Sequence, residues 1–299
     1  MIVFGPVPSR RLGQSLGINN IPPKTCTYSC VYCQLGRTVR MQTGRQEFYD
    51  LEELARVVAA RVRQLRENGE PVDYLTFVSD GEPTLDVNMD REIELLRSVG
   101  VKIAVITNAS LIWDPDIRRC LSEADWVSLK VDSVSEDIWR RIDRPHGSLR
   151  LETILDGMVK FSADFSGTLA TETMLIQGLN DGRHEIARIA DFLAGLSPGK
   201  SYIAIPTRPP AEKWVKPAAE EAINMAYQIF ISKGLNAEYL MGYEGSAFAS
   251  TGDAAEDLLS ITSVHPMREE GVQDLLAKTN SGWKIVEELV DDGKLVFME

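Results

Sequence analysis

Short apolar runs alternate with helix-period segments through the first 240 residues of the chain. The apolar runs are β-prone, because branched and aromatic side chains recur in them. They predict strands at YLTFVS (74–79), VKIAVIT (101–107), WVSLKVD (126–132), LATETMLI (169–176) and SYIAIP (201–206). GINNI (17–21), before the cysteines, is a further probable strand and the first in chain order.

The segments between these runs carry the spacing of amphipathic helices. LEELARVVAARVRQLREN (51–68) repeats apolar residues on one helical face, and Asp50 is a candidate N-cap. Similar patterns predict helices over 89–100, 114–124, 151–162, 182–196 and 217–234. Strands alternating with helices indicate a parallel sheet, and five or six such units favour a barrel or partial barrel, with a doubly wound sheet as the alternative.

The composition changes near residues 243–256, YEGSAFASTGDAAE, which are rich in Gly, Ala and Ser. This segment predicts a linker between a first domain of residues 1–242 and a second of residues 257–299. The tail has the spacing of short helices followed by one closing strand at its apolar end. We therefore expect a small, mainly helical module of winged-helix type.

Composition places the chain among ordinary globular proteins, since 44% of its 299 residues are hydrophobic and 25% are charged. No apolar run approaches the roughly 18 residues of a membrane-spanning helix, and the N-terminus lacks the pattern of a signal peptide. The sequence therefore predicts a cytoplasmic protein without a membrane partner.

The net charge of −12 argues against a protein that coats nucleic acid, because phosphate contacts come from Lys and Arg. One stretch is nevertheless basic. It contains Arg10, Arg11, Lys24, Arg37, Arg40 and Arg45. Two interpretations stay open, a solvated surface and a patch that attracts an anionic cofactor or substrate.

Three of the four cysteines lie in TCTYSCVYC (25–33), with the spacing C-x3-C-x2-C. A structural zinc site needs four ligands, and the only histidines follow residue 145. A redox pair needs only C-x-x-C, which leaves one cysteine surplus. An iron–sulfur cluster uses cysteine thiolates, and three of them leave one iron of a four-iron cluster open to a small molecule. The remaining alternative to a metal or redox site is that the three cysteines are buried and only structural.

The loop also carries an aromatic residue, Tyr32, just before its last cysteine. C-x3-C-x-Φ-C resembles the signature of the radical S-adenosylmethionine (radical SAM) superfamily. The resemblance implies a [4Fe-4S] cluster held by Cys26, Cys30 and Cys33, S-adenosylmethionine (SAM) on the open iron near Tyr32, and an α/β fold, the partial (β/α)6 TIM-type barrel.

The second predicted strand ends in SDGEPTL (79–85), which resembles the superfamily's GGE element with Asp80 in place of the first glycine. The resemblance implies that this segment binds the amino group of SAM, because an ammonium group requires carbonyl and carboxylate acceptors close by. The residues carried over are Gly81, Glu82, Pro83 and Thr84. A plain strand–helix turn capped by Thr84 is the alternative.

Later strand ends supply further candidates, since barrel sites gather at the carboxyl ends of strands. Asn108 follows the third strand and could face the cofactor. Ser128, Lys130 and Asp132 share one face of the fourth strand. The resemblance implies SAM contacts for the first two and a substrate contact for Asp132, whereas a structural ion pair at the barrel end is the alternative.

Three further polar residues are candidate substrate contacts without a motif to support them. Gln177 and Asn180 follow the fifth strand, and His146 lies in the loop after the fourth, where it could equally be a turn residue. Cys120, in a helical segment, is predicted to be a small buried residue.

FGPVPSRRLGQSLGIN (4–19) and PKTCTYSCVYCQLGRT (23–38) resemble proteins related to the tRNA wyosine-base synthases. Those synthases hold a second cluster on three further cysteines, and this chain has one cysteine left over. The resemblance implies a 5′-deoxyadenosyl radical that abstracts hydrogen from a substrate, which could be an RNA base, a peptide or protein side chain, or a small metabolite. SAM and a small electron donor such as a ferredoxin or flavodoxin are the implied partners, and tRNA stays open.

A competing hypothesis from another class is a zinc-stabilised module that binds nucleic acid or protein without catalysis. A ferredoxin-like electron carrier would need four protein ligands to its cluster, and no fourth cysteine lies nearby.

Overall fold

A computed structural model describes residues 1–240, 248–262 and 266–297. Its main sheet has eight strands in the order β1-β2-β5-β6-β7-β8-β9-β10. They are β1 (Val3–Ser9), β2 (Gly13–Ile18), β5 (Tyr74–Phe77), β6 (Lys102–Thr107), β7 (Trp126–Lys130), β8 (Thr168–Met174), β9 (Lys200–Ala204) and β10 (Ala237–Leu240). The sheet curls into a half-barrel, and a separate parallel pair joins β3 (Thr25–Cys26) to β4 (Arg40–Met41).

All neighbouring strands from β2 to β10 are parallel, whereas β1 pairs with β2 in the antiparallel sense. The connecting helices are α1 (Leu51–Glu67), α2 (Met89–Arg97), α3 (Pro115–Leu121), α4 (Glu136–Ile142), α5 (Leu151–Asp164), α6 (Arg183–Leu196) and α7 (Glu220–Ser232). The predicted α/β partial barrel is confirmed, and the doubly wound alternative is not the fold of this chain.

Each strand and helix predicted by periodicity is present, and the structure adds several that the pattern did not predict. The edge strand β1 has the sequence VFGPVPS, in which one glycine and two prolines hide the strand signal. The edge strand β10 and the helix α4 are short, with four and seven residues, which is too few for a clear period.

The inner face of the sheet is apolar near the amino ends of the strands and polar further along. Ala104, Trp126, Ala170 and Tyr202 form an inner apolar cluster together with Leu12. Because side chains alternate along a strand, the next inward positions of β7 and β8 are Ser128, Lys130, Glu172 and Met174. The apolar layer closes one end of the half-barrel, and the polar positions beyond it surround a cavity.

Three more helices, α8 (Ala254–Thr262), α9 (Glu269–Lys278) and α10 (Lys284–Asp291), form a second apolar core with Phe248. The expected linker, 243–256, lies partly outside the described residues. In its described part, Phe248 and Ala254 pack into this core, and Ala249 packs into the main core. The expected closing strand is absent from 295–297, where Val296 and Phe297 are exposed. Residues 298–299 lie outside the described part of the chain.

None of the helices in the described ranges is both long enough and apolar enough to span a membrane.

Candidate active site

A cavity of about 700 Å³ opens at the carboxyl ends of the parallel strands. Its wall includes the cysteine loop, the loop after β5, and side chains from β6 to β9. Cys26, Cys30 and Cys33 all line it. The volume lies in the upper half of the range typical of ligand pockets, about 300–1,000 Å³.

Backbone hydrogen bonds hold the cysteine loop in a compact shape. Cys26 belongs to β3, and a tight turn brings the amide of Cys33 within 3.1 Å of the carbonyl of Cys30. The amides of Ser29 and Val31 donate to the carbonyls of Asp143 and Ile142, at 3.0 and 2.9 Å. The loop is therefore anchored to the segment after α4, and its three thiols are presented on one wall.

The possible metal ligands on this wall are the thiols of the three cysteines. Burial raises the pKa of the Cys26 thiol to about 12, with the nearby Glu82 adding to the effect, and burial also raises the pKa of Cys30 and Cys33. Bare thiolates are therefore disfavoured here, and a cationic metal group would supply the missing positive charge.

Among the described residues, no three cysteine, histidine or carboxylate side chains converge closely enough to hold a single metal ion. A zinc ion requires its sulfur ligands at about 2.3 Å. Three thiols on one cavity wall, without that convergence, are compatible with a cluster of several irons.

Glu212, which was not predicted from the sequence, binds residues of the cysteine loop from outside the cavity. Glu212 is buried and accepts from Arg37 at 2.8 and 3.1 Å and from Arg144 at 2.5 Å. Its amide also donates to the carbonyl of Val31 at 3.0 Å. Both arginines hold the pKa of Glu212 below its usual range. No local signal marks this residue, because its partners lie far away in the sequence.

Asn108 lies beside the first cysteine. Its side-chain amide is 3.5 Å from the sulfur of Cys26 and donates to the hydroxyl of Thr27 at 2.9 Å. It lines the cavity, as the sequence predicted for a strand-end residue facing a cofactor. This contact brings the end of β6 against the cysteine loop.

The residues after β5 separate into two groups. Gly81 lines the cavity, and a Cβ atom there would lie 1.8 Å from the carbonyl oxygen of Thr25, so only glycine allows this approach to the cysteine loop. Glu82, Pro83 and Thr84 are buried behind the wall.

Glu82 is fully buried and accepts four hydrogen bonds from the protein itself. They come from the amide and hydroxyl of Thr84 at 3.1 and 2.6 Å, the hydroxyl of Thr107 at 2.6 Å and the amide of Asn108 at 2.8 Å. Burial raises the pKa of this carboxyl, and the four donors oppose that effect. The carboxylate joins the ends of β5 and β6, and it is absent from the described lining of the cavity.

On the wall beside Tyr32 of the cysteine loop, Lys130 and Arg11 share one carboxylate. Glu172 accepts from Lys130 at 2.6 Å and from Arg11 at 2.5 Å. Burial alone would raise the pKa of Glu172, but the two cations lower it to about 2. Burial likewise disfavours the charged form of Lys130, and Glu172 outweighs it, so the pKa of Lys130 is raised. Ser128 lines the same wall.

Tyr32 connects this wall to the cysteine loop. The ammonium group of Lys130 lies 5.0 Å from the centre of the Tyr32 ring, and the Tyr32 hydroxyl donates to Asp132. Asp132 also accepts from the amide of Met174 at 2.7 Å, and burial raises the pKa of its carboxyl. Next to it, Asp143 accepts from the thiol of Cys30 at 3.3 Å.

The four candidate substrate contacts do not line the cavity in the part of the chain that is described. Asp132 is buried behind Tyr32. Asn180 is buried, and its side-chain amide donates to the carbonyls of Asp132 and Met174 at 2.7 and 2.8 Å. His146 faces Ser148 at 2.8 Å, and Gln177 is exposed. Their positions suit roles in supporting the loops.

Comparison with known proteins agrees with this geometry. The family model of the radical SAM superfamily matches residues 20–193, more than half of the chain. A UPF0026 protein of Methanocaldococcus jannaschii is 49% identical and covers 100% of this chain and 93% of its own length. A UPF0026 protein of Helicobacter pylori strain J99 is 31% identical over 90% of this chain and 86% of its own length.

A solved structure shows the same fold. SuiB of Streptococcus suis, bound to S-adenosylmethionine, superposes with a TM-score of 0.56 at 14% identity, over 76% of this chain. The match covers 51% of SuiB, so this chain spans about half of that protein.

The fold and the cysteine-lined cavity define an enzyme that uses SAM in radical chemistry. The chain belongs to the radical SAM superfamily and, within it, to the family of the UPF0026 proteins. The superfamily and the enzyme class predicted from the cysteine loop are both confirmed.

Proposed function

We propose that Cys26, Cys30 and Cys33 hold a [4Fe-4S] cluster with one open iron, and that the cavity beside it binds SAM and the substrate. The observation that carries this proposal is the position of all three thiols on one wall of a cavity of about 700 Å³. Held by these three residues, the cluster would supply the electron for reductive cleavage of SAM, and SAM would supply the 5′-deoxyadenosyl group for hydrogen abstraction from the substrate.

The chain's own residues would bind and orient the cofactor. Gly81, Asn108 and Ser128 line the cavity together with the cysteine loop, and Lys130 lies beside Tyr32 of that loop. Lys130 offers a cation to the carboxylate of SAM. Glu82, Pro83 and Thr84 act behind the wall, since Glu82 fixes the amide of Asn108 at 2.8 Å.

The half-barrel also has to exclude water from the reacting centre, because a primary carbon radical attacks nearby groups. The inner apolar cluster closes one end, and Pro266 and Arg268 of the C-terminal segment border the cavity at the other. We propose that residues 257–299 form a second domain, joined by a linker at 243–256, that covers the barrel of residues 1–242.

Reduction requires an electron donor, for which we propose a small protein of the ferredoxin or flavodoxin type. The substrate classes compatible with the chemistry are an RNA base, a peptide or protein side chain, and a small metabolite.

The test is anaerobic purification followed by measurement of iron, sulfide and zinc. We expect about four irons and four sulfides per chain in wild type. We also expect release of 5′-deoxyadenosine on addition of SAM and dithionite. Cys26→Ala, Cys30→Ala and Cys33→Ala should each lose the iron and the nucleoside release.

Cys120→Ala is the matched control, since Cys120 is buried in α3, away from the cavity. It should keep the wild-type iron content. Stoichiometric zinc without iron in wild type would favour the zinc-stabilised binding module and contradict the proposal.

A further inference from the structure

A side-chain amide contacts the sulfur of the first cysteine. The Nδ2 atom of Asn108 lies 3.5 Å from the Sγ atom of Cys26, a distance at which an N–H group donates to sulfur. The same nitrogen donates to the hydroxyl of Thr27 at 2.9 Å. An amide nitrogen carries two hydrogens, so it can serve the sulfur and the hydroxyl together. Asn108 therefore connects the end of β6 to one of the three thiols.

The orientation of this amide is fixed by its other end. The Oδ1 atom of Asn108 accepts from the backbone amide of Ser110 at 2.9 Å. A backbone N–H group can only donate, so the oxygen faces Ser110 and the nitrogen faces Cys26. A flipped side chain would place a donor against the donor of Ser110. The hydrogen-bond network thus assigns a donor, and not an acceptor, to the sulfur of Cys26.

The backbone that carries Asn108 is held by the same network. Its amide donates to the buried carboxylate of Glu82 at 2.8 Å. The amide of Ala109 donates to the hydroxyl of Thr107 at 2.9 Å, and that hydroxyl donates to Glu82 at 2.6 Å. Ala109 has a φ of 59°, a left-handed conformation that residues other than glycine rarely adopt. Such a conformation persists only where the surrounding contacts impose it, so the position of Asn108 is imposed as well.

We propose that Asn108 donates a hydrogen bond to the Cys26 thiolate of the bound cluster and thereby raises the reduction potential of that cluster. The proposal rests on the function proposed above and adds a residue that tunes electron transfer at the same site. Reduction adds one electron from the donor protein and breaks no bond, so the negative charge on the sulfur ligands increases. An N–H donor stabilises that charge, and hydrogen bonds to sulfur are among the factors that set cluster potentials.

The surroundings of Cys26 explain why such a donor is needed. Burial raises the pKa of its thiol, and the nearby charge of Glu82 raises this pKa further. Both effects disfavour negative charge on the sulfur, and they oppose reduction of a cluster bound there for the same reason. The hydrogen bond from Asn108 offsets part of this cost, and it is stronger in a partly buried site than in water.

The test is a potentiometric titration of anaerobically purified, cluster-loaded protein without SAM. The electron paramagnetic resonance (EPR) signal of the reduced cluster is measured at each potential. In Asn108→Ala and Asn108→Leu, the ratio of reduced to oxidised cluster at the wild-type midpoint should fall about 10-fold, because a hydrogen bond to a charged group is lost. This change equals a shift of about 59 mV to lower potential for one electron. Asn108→Leu keeps the branched shape of the side chain, which separates the lost donor from lost packing.

Ser110→Ala is the matched control. Ser110 is buried, and its hydroxyl donates to Thr27 at 2.6 Å. The variant removes a hydrogen bond from the same network and keeps the amide of Ser110 and the donor to Cys26. It should therefore keep the wild-type potential, whatever its effect on stability. An equal fall in potential in Ser110→Ala and Asn108→Ala would assign the effect to local structure and overturn the proposal.

A second measurement uses wild-type protein and does not depend on the folding of a variant. With nitrogen-15 in the side-chain amide of asparagine, pulsed EPR of the reduced cluster should show a nitrogen-15 coupling, since Nδ2 of Asn108 lies 3.5 Å from a ligand sulfur. The coupling should disappear in Asn108→Ala, which assigns it to this asparagine. Absence of the coupling in wild type, or an unchanged potential in Asn108→Ala, would overturn the proposal.

Iron content and nucleoside release of wild type report on the proposed function separately. A wild type without iron contradicts both the cluster and the role of Asn108. A wild type that holds the cluster and cleaves SAM, but shows no coupling and no dependence of the potential on Asn108, contradicts this inference alone.

Discussion

At the scale of single residues, buried carboxylates of the barrel differ in how many hydrogen bonds they accept from the protein. Glu82 accepts four hydrogen bonds while fully buried. Glu92 is equally buried but accepts one bond, from Asn20 at 3.1 Å, and its second oxygen has no partner in the described structure. These two environments predict opposite responses to the same substitution.

Glu82→Gln should destabilise the protein. The new amide group replaces an oxygen that accepts hydrogen bonds, so at least one buried donor loses its acceptor. We expect the free energy of unfolding to fall by about 1–3 kcal/mol at pH 7, measured by urea denaturation. Glu94→Gln, on the exposed side of α2, is the control and should change little. An unchanged Glu82→Gln protein would contradict the role of this carboxylate in joining β5 and β6.

Glu92→Gln should become stabilising as the pH rises. Burial, with Asp86 adding to it, raises the pKa of Glu92 to about 8 in the folded state, from 4.5 when exposed. The folded protein thus holds a proton that the unfolded chain releases, and wild type loses stability from about pH 4.5 to pH 8. The amide does not titrate and keeps an acceptor for Asn20.

Urea denaturation at pH 5 and pH 8 checks this expectation. The variant should gain on wild type by about 1–3 kcal/mol between these two values. A difference that stays constant with pH would show that Glu92 is ionised in the folded state.

At the scale of elements, the cysteine loop is held by contacts to two segments remote in sequence. Its backbone bonds to the segment after α4, and Arg37 of the loop binds Glu212. Arg144 binds the same carboxylate. The loop itself has no long helix or strand, so its shape depends on these anchors.

Glu212→Ala should loosen the loop without unfolding the barrel. Removing the carboxylate leaves Arg37 and Arg144 without their shared acceptor and close to one another. We expect a lower iron content after anaerobic reconstitution, by about half or more, and faster loss of iron to a chelator. Glu136→Ala, which removes an exposed ion pair on α4, is the control and should retain iron normally. Equal iron retention in both variants would show that the bonds of Glu212 to Arg37 and Arg144 are not needed to hold the cysteine loop.

At the scale of the whole molecule, the C-terminal helices dock on the first strand and first helix of the barrel. Asp257 of α8 is buried and accepts from Arg61 of α1 at 3.3 Å. It also accepts from Ser250 and Thr251 at 2.7–2.9 Å. The amide of Gly5 in β1 donates to Ser260 at 2.9 Å. These contacts hold the C-terminal helices against the barrel, and Arg268, which precedes α9, borders the cavity.

Asp257→Asn should weaken this docking. Arg61 is also mostly buried, and neutralising Asp257 leaves it with the exposed carboxylate of Glu256 at 3.5 Å as its remaining ion-pair partner. We expect a loss of about 2–4 kcal/mol in the free energy of unfolding, and faster trypsin cleavage after the C-terminal lysines. Asp274→Asn, exposed on α9, is the matched control. Wild-type stability in Asp257→Asn would show that the docking does not depend on this ion pair.

The sequence alone determined the class of this protein. Strand and helix periods are local properties, so β5 to β9 and the helices between them, apart from the short α4, could be predicted directly. The cysteine spacing is also local, because one short loop presents all three thiols. It was enough to indicate the superfamily, and the structure places those thiols on one cavity wall.

Only the tertiary structure decided which polar residues face the cavity. Glu82 lies in a motif that implies cofactor contact, yet the curl of the sheet turns its side chain into the space between two strand ends. Glu172, Glu212 and Arg268 carry no local signal, and the fold brings them to the site from distant positions. The physical reason is that periodicity fixes which face a side chain takes on its own element, whereas its partners depend on how distant elements are paired and packed.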